Sequence, residues 1–288
     1  IYDRDSGRLT RATEQAPHLP RERLRPASPV RFTSRDGLEI HGYLTLPAGA
    51  SKERPVPLVV LPHGGPVVRD FWVYNPLVQF LASRGYAVLQ PNYRASAGYL
   101  WPNYSETVGD FAGMRDDVID ATRSALRSGL FDERRVAILG GSFGGYLALA
   151  CSTEEPGLYH AAISFAGVFD WARMLKKIEP IGSISLGFDR WRERLGDPLR
   201  DKARFDGISV LKRLDRLQAP VLLAHGKIDR TVDYEQTKRL AAELRQRDHP
   251  HEVIYFQDAP HGLPAFKDRV AYYRAVESFL ARHLASSP

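Results

Sequence analysis

The chain has 288 residues, of which 43% are hydrophobic, and carries a formal charge of +6. That length can bury one sizeable core without covalent staples, and the single cysteine, Cys151, excludes an intramolecular disulfide and a cysteine-rich metal site. Arginine outnumbers lysine, but the basic residues are interleaved with acids and no nucleic-acid motif accompanies them, so the charge is read as a solvated surface rather than a nucleic-acid face.

No apolar run of about 18 residues appears, which leaves no candidate for a membrane-crossing helix. The chain begins at Ile1 rather than Met, as expected of a piece of a longer protein. Asp5-Ser6-Gly7 is a turn signal between Ile1-Tyr2 and Leu9-Thr10 and suggests one β-hairpin without a sheet. Pro17, Pro20, Pro26 and Pro29 then mark a linker.

From Val30 the pattern becomes regular. Val30–Thr33 and Glu39–Leu46 flank Arg35-Asp36-Gly37 and predict a hairpin. Pro57–Leu61 is a continuous apolar run, as expected of a strand covered on both faces. Asn75–Ser83 predicts a helix that stops at Gly85, and Tyr86–Gln90 another strand. Asp110–Arg127 is a long amphipathic helix. Arg135–Leu139 reads as a strand and Gly144–Cys151 as the helix after it. His160–Phe165 and Pro220–Ala224 are further strands; Asp233–Arg247 is a helix, Glu252–Phe256 a strand and Asp268–Leu284 a closing helix. Strands alternating with helices imply βαβ units and a mostly parallel sheet with helices on both faces. The stretch Asp170–Arg204 fits this alternation poorly. With Trp171, Phe188 and Trp191 set among charges, it is read as an insertion over one end of the sheet.

Gly140-Gly141-Ser142-Phe143-Gly144 matches G-x-S-x-G between a predicted strand and a predicted helix. A tight turn there holds the serine hydroxyl clear of the sheet, near a helix N-terminus whose partial positive charge favours developing negative charge. Ser142 is therefore the candidate nucleophile of an α/β-hydrolase fold. A serine needs a base, and in this fold an acid and then a histidine follow it in the chain. His249, His251, His261 and His283 lie late enough. Only His261 sits in a loop just past a parallel strand, where sites form in open α/β sheets. For the acid, Asp229 directly follows Pro220–Ala224. Asp233 reads better as a helix N-cap, Asp258 follows the same strand as the base, and Asp170 comes early. Oxyanion donors are expected from the backbone N–H of Phe143 and from the loop Pro62-His63-Gly64-Gly65-Pro66, in which His63 is read as a brace.

His63-Gly64-Gly65-Pro66, Pro91–Tyr99, Gly140–Tyr146, His225-Gly226 with Asp229 and Val232, and His261-Gly262, in that order, resemble the catalytic domain of the prolyl oligopeptidase family of serine peptidases, and within it the acylaminoacyl-peptidase branch. The resemblance runs from about Pro29 to the C-terminus. It implies that residues 29–288 are an α/β-hydrolase catalytic domain, that Gly65 supplies the second oxyanion N–H, and that residues 1–28 are the remnant of an upstream β-propeller plus linker. It also implies hydrolysis of peptide or acyl-aminoacyl bonds of short peptides through an acyl-enzyme, with no metal or organic cofactor. A carboxylesterase on the same fold and a non-catalytic binding domain are the alternatives. Leu100–Tyr104, Lys227-Ile228 and Ala259-Pro260 depart from the family's usual pattern and bear on the pocket.

Overall fold

The computed structural model describes residues 1–10, 19–101, 104–178 and 186–285. Pro17 and the side chain of Phe188 lie outside what is described. Among the described residues the strands are β1 (Ala27–Thr33), β2 (Glu39–Thr45), β3 (Val56–Val60), β4 (Ala87–Asn92), β5 (Phe131–Gly141), β6 (Ala161–Phe165), β7 (Val221–Gly226) and β8 (His251–Phe256). They form one sheet in the order β1-β2-β4-β3-β5-β6-β7-β8. The β1/β2 and β2/β4 pairs are antiparallel and the rest are parallel. The mostly parallel α/β-hydrolase sheet expected from the sequence is therefore present.

The inner parallel strands β3, β5, β6 and β7 are covered on both faces, and their side chains alternate between two cores. Leu58, Val60, Ile138 and Leu223 enter one cluster, while Val59, Ala137, Leu139, Leu222 and Ala224 enter the other. The first is covered by α3 (Phe111–Leu126), α4 (Phe143–Glu154) and α8 (Glu235–Gln246); the second by α1 (Pro76–Ser83) and α9 (Phe266–His283). Local signals set the ends of these helices. Asn75 caps α1, its side chain accepting from the N–H groups of Leu77 and Val78, and Asp110 caps α3 by accepting from Gly113.

The stretch expected to be an insertion forms helices: α5 (Trp171–Ile178), α6 (Leu186–Leu195) and α7 (Lys202–Ile208), while α2 (Tyr104–Thr107) precedes α3. Trp171 and Trp191 meet at a tilt of 45° with ring centroids 5.0 Å apart, and Trp171 packs on Phe111 and Phe143 at 4.9 and 5.8 Å. The insertion is thus anchored by aromatic packing beside the C-terminal end of β5.

A buried ion cluster, which no sequence motif announces, ties the antiparallel edge to α3. Arg94 donates to both carboxylate oxygens of Asp117 and also meets Asp36 and Asp110, while Ser34 donates to Asp117 at 2.6 Å. At the other extreme, Tyr2 pairs with Leu9 in a lone antiparallel bridge, and every residue from Ile1 to Thr10 is exposed. The chain docks on α1 at Arg25, whose N–H and C=O bond to the Gln79 side chain at 2.8 Å each.

Candidate active site

Ser142 follows β5 directly and sits at the junction with α4, at φ 57° and ψ −121°. A non-glycine residue in this region is strained by about 1–3 kcal/mol, and the surroundings over-determine it. Its N–H donates to Phe165 at the end of β6, and its carbonyl receives the N–H of Tyr146 in the first turn of α4. The turn is tight because its glycines allow it: a Cβ on Gly144 would lie 2.2 Å from the Pro62 carbonyl oxygen. The helix start therefore abuts the loop that follows β3, and Gly64 of that loop lies against Ser142, within 3.4 Å of its Cβ for an added methyl. Gly65, at φ 112°, continues the loop in a conformation that L side chains rarely adopt. Phe143 opens α4, where the first backbone N–H groups have no intrahelical acceptor.

His63 braces that loop. Its ring stacks on Tyr93 at 4.3 Å and its Nε2 lies 2.8 Å from Ser96 Oγ. Burial pushes its pKa down to about 4, so the ring is neutral. Tyr93 also donates to the His63 carbonyl at 2.9 Å, and Trp101 donates to the carbonyl of Ser96 at 2.7 Å. The departure at Leu100–Tyr104 thus contributes a buried indole to the same brace. Nearby, burial raises the Asp70 carboxyl to about 6, and its Oδ2 has no hydrogen-bond partner.

Asp229 and His261 lie in loops after β7 and β8, and those loops are laced together. The N–H of Lys227 donates to Phe256 and that of Ile228 to Ala259. A Cβ on Gly226 would lie 2.1 Å from the Ala259 carbonyl oxygen, so only glycine permits this approach. The result is a hydrogen bond from His261 Nδ1 to Asp229 Oδ2 at 2.7 Å. A carboxylate oxygen only accepts, so Nδ1 carries the hydrogen and Nε2 is left as the basic nitrogen. Asp229 Oδ1 accepts from the N–H groups of Thr231 and Val232 at 2.8 and 2.9 Å. Burial pushes this carboxyl up, but hydrogen bonds from His225, His261 and Val232, with the charge of His261, outweigh it and hold the carboxyl below the usual carboxylate range.

The other candidates lie elsewhere. Asp170 pairs with Arg239, Asp258 is exposed, and Asp233 accepts from the Glu235 N–H at 3.2 Å, one residue outside the cap position of α8. His249 bonds the Ala219 carbonyl, His251 lies at the opposite end of β8, and His283 packs on Phe279. Among the described residues Asp229 is the carboxylate bonded to His261, whereas Ser142 Oγ and His261 Nε2 share no hydrogen bond. Such bonds often tighten only when substrate is bound. His225 and Thr237, which bond each other next to Asp229, were given no role in the sequence; the available signal was the short spacing between His225 at the end of β7 and Asp229 in the loop that follows. Among the described residues no group of three or more His, Cys, Asp or Glu is placed to hold a metal ion, and no helix is long and apolar enough to cross a membrane.

Comparison with known proteins bears on the same region. The model of the prolyl oligopeptidase family matches residues 72–287. Dipeptidyl aminopeptidase BIII of Pseudoxanthomonas mexicana is 34% identical over 98% of the chain and 42% of its own length. The acylamino-acid-releasing enzyme of Sus scrofa is 28% identical over 91% of the chain and 36% of its own length. The acylaminoacyl peptidase of Pyrococcus horikoshii superposes with a TM-score of 0.81 at 26% identity, covering 92% of this chain and 42% of that one. The chain spans about two fifths of the length of these relatives.

Proposed function

The chain belongs to the prolyl oligopeptidase family, and on that premise we propose that it hydrolyses peptide or acyl-aminoacyl bonds of short peptides through an acyl-enzyme on Ser142. The observation that carries this reading is the 2.7 Å bond between Asp229 and His261, made by two loops at the C-terminal ends of adjacent parallel strands. With Nδ1 committed to Asp229, Nε2 is the nitrogen that a neutral imidazole offers as a base, at the same edge of the sheet as a serine on a strained strand-to-helix turn.

The chemistry follows from the groups. Ser142 Oγ attacks the carbonyl carbon while its proton passes to His261 Nε2. Asp229 orients the imidazole and stabilises the imidazolium. The N–H groups of Phe143 and Gly65 donate to the oxyanion, which forms beside the N-terminus of α4. His261 then gives the proton to the leaving amine and the C–N bond breaks. Water, deprotonated by the same histidine, attacks the acyl-enzyme and frees the acid and Ser142. Dipeptidyl aminopeptidase and acylamino-acid-releasing activities are named for the relatives, which supports a substrate read from its N-terminal end. An upstream propeller completing the protein and sieving substrates by size belongs to the same proposal.

The test compares a peptide or acyl-aminoacyl p-nitroanilide with a short-chain p-nitrophenyl ester. The peptidase reading expects turnover of the anilide, abolished by Ser142→Ala. Ester hydrolysis with no detectable anilide cleavage would assign the site to esterase chemistry instead.

A further inference from the structure

Asp229 carries a second histidine. His225, on β7, is fully buried, and its Nε2 lies 3.2 Å from Asp229 Oδ2, the oxygen that also receives the Nδ1 hydrogen of His261. The same Nε2 lies 3.0 Å from the carbonyl oxygen of Val232, and the ring's Nδ1 lies 2.7 Å from Thr237 Oγ1 on α8. Both neighbours of Nε2 only accept, so Nε2 carries a hydrogen and shares it between them. Thr237 is buried as well, and its hydroxyl can donate to Nδ1 of a neutral ring.

We propose that His225 is a positioning residue for the acid: it fixes the Asp229 carboxylate and the Asp229–Val232 loop in the one orientation that aims His261, with Thr237 setting its tautomer. The proposal rests on the reading of Ser142, Asp229 and His261 as the catalytic groups. The terminal torsion of an aspartate is broad, so a carboxylate is held only by its donors. Thr231 and Val232 hold Oδ1. On Oδ2 the second donor is His225, and His261 itself cannot serve as the reference for its own orientation. Removing His225 also strips the buried Val232 carbonyl of a donor, and that residue's N–H is one of the two on Oδ1. A displacement of about 1 Å in such a group costs about a hundredfold in rate. His225 touches neither the reacting serine nor the proton in flight. Its loss is therefore felt in the chemical step and not in substrate binding.

The experiment measures kcat and KM for the anilide with His225→Leu, His225→Gln and Thr237→Val, each checked for its melting temperature. Leucine fills the space without a donor. Glutamine restores an N–H toward Asp229 and an acceptor toward Thr237. The expected result is a kcat lower by about 10- to 100-fold in the leucine variant at nearly unchanged KM, with most of the rate recovered by glutamine. If leucine unfolds the protein, the nearly isosteric Thr237→Val decides, and a several-fold fall in kcat alone is expected. The proposal is overturned if the leucine or valine variant turns over within twofold of wild type, or if leucine and glutamine lose activity equally while folded. Should Ser142→Ala retain turnover, the catalytic reading itself fails, an outcome distinct from any behaviour of the His225 series.

Discussion

Asp229 and Asp233 lie four positions apart in one loop and do different work. The first accepts from His261, His225 and two backbone N–H groups, and the second from the Glu235 N–H at the start of a helix. Asp229→Asn is expected to lower kcat by about 10⁴, because an amide can present a donor and select the wrong imidazole tautomer. Asp233→Asn is expected to cost at most about 1 kcal/mol of stability, read from urea midpoints, and to leave kcat in place. Two other single residues act on stability with opposite signs. His63 has its pKa lowered to about 4 by burial, so between there and its unfolded value near 6.5 the unfolded chain binds the extra proton and stability falls on acidification. Asp70 is raised to about 6, so between its unfolded value near 3.9 and that point the folded chain binds the extra proton and stability rises on acidification. The two contributions offset each other between about pH 4 and 6. Denaturant midpoints across that range should therefore fall with acidity more steeply in Asp70→Asn than in wild type, and less steeply or not at all in His63→Gln. Identical slopes in the three proteins would refute the assignment.

At the level of elements, the site depends on two loops approaching without side chains between them. Gly226→Ala would push a methyl into the Ala259 carbonyl oxygen, 2.1 Å away. Overpacking of this kind costs about 1–3 kcal/mol, and here it also parts the loops that bear Asp229 and His261. The variant should melt lower and lose kcat, and a variant with wild-type kcat would show that the lacing is not what sets the geometry. The strand-turn-helix around Ser142 was legible because the G-x-S-x-G spacing and the apolar run before it are local signals, and the strands and helices of the alternating region were recognisable to within a few residues. The insertion was legible only as a break in pattern. Its first two helices are held by Trp171 packing on Phe111 and Phe143 and by Trp191 packing on Phe111, contacts distant in sequence. The Arg94–Asp117–Ser34 cluster and the His225–Thr237 pair were not legible for the same reason. Each joins residues on separate elements, and a single sequence does not reveal who faces whom. Asp233 was expected to cap its helix; it stands one residue before the assigned cap, Tyr234, while its side chain accepts from the first helical N–H, that of Glu235, at an end where assignments commonly shift by a residue.

On the scale of the whole chain, the sheet and its two cores draw on described residues from about Arg25 onward, and the first ten residues form a solvent-exposed hairpin bonded within itself. Deleting Ile1–Thr10 is expected to move the melting temperature by no more than about 2 °C, since exposed residues without buried contacts contribute little; a larger drop would mean that this arm is docked in solution. In the proposed chemistry one serine, raised on a strained turn at the same sheet edge as an Asp229-oriented His261, attacks acyl groups. Labelling of the purified chain with a fluorophosphonate, followed by peptide mapping of the adduct by mass spectrometry, puts this to the test. One adduct per chain is expected, on Ser142, absent from Ser142→Ala and greatly slowed in His261→Ala. An unlabelled chain that nonetheless cleaves the anilide, or an adduct on any other residue, would contradict it.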